Sequence, residues 1–277
     1  MKEYSVTSHM LIAIAAATCT VVVSPAAAQN TLPSPPAYIA TVPQNATPAI
    51  VSAKDRVVYH GPRNRPRIAL TFDACQKDRP SGYDKKIVSE LTVARTPATF
   101  FISGRWMAAH PGQTKYLSRI PYFEIANHSY SHPLLTQLDR KKILDEIMQT
   151  QLLMHKLTGR EGAFFRAPYG KYNREVVDAA ASLGLRVVQW DVITADPDPK
   201  ATGNRIYETV MHRVRNGSII IMHANGRGWH TNEVLPKMIA ELKRRGFEFV
   251  TLSKLLESET RTQPAALVKH SSQSGKP

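Results

Sequence analysis

The stretch RIALTFDACQ, residues 67–76, is where the reading of this chain begins. Ile68–Phe72 is a short apolar run, and Asp73 then places a single carboxylate at its end. Ala74 and Cys75 follow, so no second acid stands beside the first. A run of this length with punctuation at its end reads as a buried strand. Six more such runs lie further on, at Ala98–Ser103, Phe123–Ala126, Phe164–Arg166, Arg186–Trp190, Ser218–Met222 and Glu248–Thr251. Helical patterns alternate with them, at Tyr83–Val93, Asp139–Leu157, Arg174–Leu183, Thr202–Val214 and Glu233–Arg245. In the second helix Ile143, Leu144, Ile147, Met148 and Leu152 recur at three-to-four spacing and make an amphipathic stripe. Gly184 and Gly246 stand where a helix gives way to a strand, as helix-ending glycines do. Strands alternating with helices imply an α/β fold with a mostly parallel sheet covered by helices. Seven units predict a barrel, with an open doubly wound sheet as the alternative. In both, chemistry belongs at the carboxyl ends of the strands.

The flanks of this domain have a different character. Met10–Val23 is apolar and is followed by Ser24-Pro25 and Ala26-Ala27-Ala28, which reads as a secretory leader (residues 1–28) cleaved after Ala28. The run is too short for a comfortable membrane span, which needs about 20 residues. Residues 29–65 are rich in Pro, Ala, Thr and Asn without a helix or strand period and read as a linker or arm. Residues 66–257 read as one compact domain, and 258–277 as a polar tail. Of the two cysteines Cys19 lies in the leader, so Cys75 has no partner for an intrachain disulfide. The net charge of +14 suits an anionic partner such as nucleic acid, anionic lipid or an acidic cell-wall polymer. Export, and the lack of a recognition helix or stacking motif, argue against nucleic acid.

The polar residues gather at the predicted strand ends. Asp73 follows the first strand, His128 and His132 the third, and Arg166 the fourth. Asp191 and Asp196 follow the fifth, and His223 the sixth. Histidines at i and i+4 can present both rings to one metal ion. Singly, each residue also has an ordinary role: a turn aspartate, an ion-pair arginine, a core histidine. Their weight lies in falling together at one end of one architecture.

The blocks IALTFD, TPATFFISG, IANHSYSHP, FFRAPYG, VVQWDV, IIIMH and RRGFEFVTLSKLL resemble, in order and spacing, those of the polysaccharide deacetylases, carbohydrate esterase family 4. The resemblance covers about residues 67–256. It implies a distorted (β/α) barrel of about seven parallel strands and a metal-dependent hydrolase, usually with zinc, that removes acetyl groups from an N-acetylated glycan. It assigns Asp73 as catalytic base, His128 and His132 as metal ligands, and Arg166 as the residue that orients the base. Tyr169 falls where a backbone N–H helps bind the oxyanion. Asp196 matches the acid that tunes the catalytic histidine, and His223 the general acid. A secreted or periplasmic enzyme acting on peptidoglycan or a chitin-like glycan follows, with no nucleic-acid partner and no membrane span after leader cleavage. Trp229 and Arg227, in the loop HANGRGWHT, are read as sugar-contacting residues, with a plain surface loop as the ordinary alternative.

The pattern breaks at Ala74, where the family usually carries a second aspartate as third metal ligand. A methyl group coordinates nothing. Asp73 itself, Cys75, Asp78 or water are the available substitutes. Cys75 stands one position late, where continued strand geometry turns its side chain away, so an inert buried thiol is the preferred reading. The competing functional classes are a glycan-binding protein with a disabled site and a metal-free amidohydrolase.

Overall fold

The computed structural model describes residues 56–76 and 81–257. The expected leader, most of the expected arm and the expected tail lie outside these residues, as does Asp78. Among these residues nine strands form one sheet, and every strand pair in it is parallel. They are β1 (Val57–Val58), β2 (Arg67–Ala74), β3 (Ala98–Ile102), β4 (Phe123–Asn127), β5 (Phe164–Phe165), β6 (Arg186–Val188), β7 (Val192–Ile193), β8 (Ile219–His223) and β9 (Glu248–Phe249). The order across the sheet is β1-β6-β5-β4-β3-β2-β8-β7, with β9 paired to the start of β2. The sheet curls into an incomplete barrel: strand pairing does not join β7 to β1. All seven expected strands are present within a residue or two of the expected bounds.

Two strands are additional, and each has a physical reason to escape notice. β1 and β7 are two residues long, too short for any periodicity. β1 also corrects the expected domain boundary. Val57 and Val58 pair with Val187 and Val188, and Gly61 donates to Gly217 O at 2.8 Å, so the last ten residues of the expected arm belong to the domain.

The five expected helices appear as α1 (Lys85–Val93), α4 (Arg140–Thr158), α5 (Arg174–Ser182), α6 (Gly203–Arg213) and α7 (Thr231–Arg244). Side-chain oxygens of Asp139, Asn173 and Thr202 cap three of them at the amino end. Gly159 ends α4 in the left-handed conformation at φ 71°. Three short helices add to these: α2 (Gly104–Ala109), α3 (Pro111–Arg119) and α8 (Leu252–Leu255).

Strand alternation divides the core. On β2 the side chains of Ile68, Leu70, Phe72 and Ala74 face the helical layer, and Phe72 stacks on Phe100. Ala69 packs instead with Phe101, Ala126, Phe164, Val188, Ile219 and Leu252 inside the curl of the sheet. Thr71 and Asp73 continue that inner face toward the carboxyl end, so the interior changes from apolar to polar along a single strand.

Candidate active site

The inner face of β2 ends at Asp73, which is in register with Phe101 on β3 and His223 on β8. Adjacent strands lie about 4.8 Å apart, so the sheet itself sets Asp73 and His223 side by side. Arg166, directly after β5, reaches across the interior and is fully buried. Its guanidinium donates to Asp73 Oδ1 at 2.7 Å, Thr71 Oγ1 at 3.0 Å, Gln189 O at 3.1 Å and Val188 O at 3.3 Å. It also lies 3.9 Å from the centroid of the Phe101 ring. A planar, rigid donor set of this kind fixes a carboxylate in direction as well as charge. Burial alone would raise the Asp73 pKa. The charge and hydrogen bond of Arg166 lead the influences that overcome it and hold the carboxyl below its usual range, so Asp73 is ionised.

His128 and His132 sit in the loop after β4. Glu146 on α4 anchors that loop by accepting from the backbone N–H of Tyr130 and Ser131 at 2.9 and 2.8 Å. His128 Nδ1 lies 2.8 Å from Arg166 O, a carbonyl that can only accept. The proton is therefore on Nδ1, and Nε2 carries the lone pair, 3.6 Å from Asp73 Oδ2. The two imidazole centroids are 4.9 Å apart, and the Tyr169 ring packs edge-on against His132 at 4.6 Å. Burial lowers both histidine pKa values, that of His132 to about 3, so both rings are neutral bases at physiological pH. Neutral imidazole with its other N–H held by a carbonyl is the form that ligates a metal.

Cys75 lies closer to the two histidines than its place in the sequence suggests. Strand alternation sets Ala74 opposite to Asp73, and Cys75 then returns to the side of Asp73. The Ala74 methyl is buried in the helical layer. Cys75 Sγ and ring nitrogens of His128 and His132 all lie within 4.8 Å of one another. Burial and the Asp73 charge push the thiol pKa up to about 12. One thiol and two neutral imidazoles fit a borderline-soft divalent ion such as zinc.

On the other side of Asp73, His223 Nδ1 donates to Asp196 Oδ1 at 3.0 Å. Asp196 is buried and also accepts from the His223 backbone N–H and the Thr231 hydroxyl, both at 2.8 Å on Oδ2. Thr194 Oγ1 lies 3.0 Å from Oδ1. Burial works to lower the His223 pKa, but the bond and charge of Asp196 outweigh it and raise the value.

These groups border a cavity of about 290 Å³ at the carboxyl ends of the strands. Asp73, Cys75, His128, His132, Tyr169, Asp196, His223 and Arg227 line it, with Trp190 and Ile193 as apolar wall. Tyr169 turns into it with a left-handed φ of 59°. Trp229 does not line it and is half exposed. Asp191 is also separate, because it holds Arg63, Ser218 and the Ile219 N–H near the start of β8. Thr194, Thr231 and Asn225 complete the surroundings. They lack any sequence signal, because a threonine hydroxyl becomes informative only once its acceptor is known. A larger depression of about 640 Å³ borders the first residues of β2 and β6, away from these groups.

A parallel α/β sheet with a buried carboxylate, a carboxylate-paired histidine and two neutral histidines at its carboxyl edge carries the groups that hydrolytic chemistry uses. Residues 60–188 match the family model described as polysaccharide deacetylase. The chain is 30% identical over 215 residues to a peptidoglycan-N-acetylglucosamine deacetylase of Bacillus cereus, covering 76% of each. Among solved structures it is similar to the Bc1960 peptidoglycan N-acetylglucosamine deacetylase, at TM-score 0.68 and 28% identity, over 73% of this chain and 94% of that one. It is also similar to a CE4 family pseudoenzyme from Bacillus anthracis, at TM-score 0.66 and 27% identity, over 73% and 69% of the two chains. The chain belongs to the polysaccharide deacetylase family.

Proposed function

We propose that this protein is an exported deacetylase that hydrolyses N-acetyl groups of a peptidoglycan- or chitin-like glycan, with Asp73 as base and His223 as acid. The observation that carries the reading is the placement of Asp73 and His223 in register on adjacent strands, on one cavity with His128 and His132. Asp73, ionised and aimed by Arg166, takes a proton from the attacking water. His223, with its pKa lifted by Asp196, gives a proton to the departing amine. His128 and His132 would hold a divalent metal, zinc by donor type, which supplies polarisation of the acetyl carbonyl and acidification of bound water. The Tyr169 backbone N–H would contribute to holding the oxyanion. Arg227 is the cationic group available on the cavity wall to contact the sugar.

The substrate class draws on the printed activity of the Bacillus cereus relative. The charge of +14 adds to it, since an acidic exported polymer is attracted to a basic surface. The second reading, a glycan-binding protein without turnover, is favoured by Ala74 and by the likeness to a pseudoenzyme. Acetate release from N-acetyl chitooligosaccharides and from peptidoglycan separates the two. The deacetylase reading expects release by the zinc-supplied wild type and at least a roughly 100-fold loss in both Asp73→Asn and His223→Ala, the usual scale of acid–base contributions. Glycan binding without acetate release, or release unaffected by either substitution, refutes it.

A further inference from the structure

We infer that Cys75 is the third protein ligand of the metal site, which is a centre of one thiolate and two imidazoles rather than one carboxylate and two imidazoles. The inference rests on the deacetylase reading of the same cavity and specifies what replaces the missing aspartate. Three observations carry it. The first is position: Cys75 Sγ and the histidine ring nitrogens lie within 4.8 Å of one another. Ligand atoms around tetrahedral zinc are roughly 3.3–3.8 Å apart, from bond lengths near 2.0–2.3 Å, so small side-chain rotations complete the set.

The second is the state of the histidines. The His132 ring is buried at 8% exposure, and neither of its ring nitrogens makes a hydrogen bond among the described residues. The ring borders the cavity, so its nitrogens are open to a ligand there. His128 is already fixed with Nε2 free to ligate. The third is the surround of the thiol. The Asn225 amide donates to Cys75 O at 2.8 Å and lies 3.4 Å from Sγ, which positions the sulfur as outer-shell groups position ligands.

The exchange also conserves charge. A thiolate brings the same single negative charge as the carboxylate it replaces. The Ala74 methyl points into the helical core and Cys75 borders the cavity, so the ligand moves from position 74 to position 75 on the inner face. A thiolate shifts preference toward zinc or cobalt(II) and away from magnesium or manganese.

Cobalt(II) titration of the metal-free protein tests the inference without using activity. A Cys19→Ser background leaves Cys75 as the sole thiol. Expected is one equivalent of cobalt with a sulfur-to-cobalt charge-transfer band in the near ultraviolet. Cys75→Ser loses the band and binds at least tenfold more weakly. Cys75→Asp keeps the metal without the band, and circular dichroism of both variants matches the parent. Failure to bind cobalt, or a spectrum the same with serine at this position, overturns the assignment. The two readings fail separately. A sulfur band without acetate release supports the ligand assignment and rejects the deacetylase reading, whereas acetate release with no band rejects the ligand assignment alone.

Discussion

Arg166→Met is the substitution whose consequence can be worked furthest from the geometry. Arg166 is fully buried and makes four hydrogen bonds, one of them to the charged Asp73. Methionine matches much of the stem but leaves the Asp73 carboxylate buried without its counter-ion. Breaking a buried pair from one side costs about 3–5 kcal/mol. Loss of the donors to Thr71 and the two carbonyls pushes toward the upper end, since each unsatisfied buried acceptor costs about 1–3 kcal/mol. The open face of the cavity lets water reach Asp73 and pushes toward the lower end. The net expectation is about 3–5 kcal/mol, or a fall in Tm of roughly 6–20 °C at about 2–4 °C per kcal/mol for a domain of this size. Urea unfolding followed by tryptophan fluorescence measures it, with the m-value unchanged if only stability has moved. The double variant Asp73→Leu/Arg166→Met removes charge and partner together and recovers at least half the loss, as apolar replacement of buried pairs does. A loss under about 1 kcal/mol in the single variant, or a double variant no better than the single, refutes the claim that Arg166 stabilises by compensating Asp73.

Two further predictions concern the acid and the chain path. Asp196→Asn removes the charge that raises the His223 pKa against burial. The alkaline limb of the pH–rate profile moves down by roughly 1–2 units, from a charge-assisted bond of about 1.5–3 kcal/mol at 1.36 kcal/mol per unit, and an unmoved limb refutes the role. The sign for stability follows: with the folded pKa raised, the pair stabilises fully below about pH 6.5 and its contribution is lost as pH rises through the folded value. Gly217 has φ 76°, and a Cβ there would lie 2.5 Å from the carbonyl oxygens of Gly61 and Pro62. Gly217→Ala lowers stability by about 1–3 kcal/mol or more, whereas Gly159→Ala, also left-handed but facing open space, costs about 1 kcal/mol. Equal Tm values for the two variants would show that the close approach of Gly217 to Gly61 and Pro62 is not a constraint.

Local sequence was sufficient wherever structure is decided by nearest neighbours. The runs at Ile68–Phe72 and Ser218–Met222 are strands because five successive buried residues satisfy a parallel sheet covered on both faces. The helix α4 follows the expected spacing at Ile143 and Ile147, but its buried face continues through Thr150 and Met154, and Leu152 is exposed. The strand ends then delivered Asp73, His128, His132, Arg166, Asp196 and His223 to one edge. Only the tertiary structure could decide what depends on partners distant in the chain. The two-residue strands β1 and β7 exist because Val187 and Ile220 are there to pair with them. The helix α2 is six residues long, too short to show an apolar period, and α3 is mostly polar, with Leu117 its one fully buried aliphatic side chain. Above all, sequence distance misplaced Cys75. Counting from Ala74 it lies one residue late, but counting faces from Asp73 it lies on the correct side, because a strand returns every second side chain to the same surface.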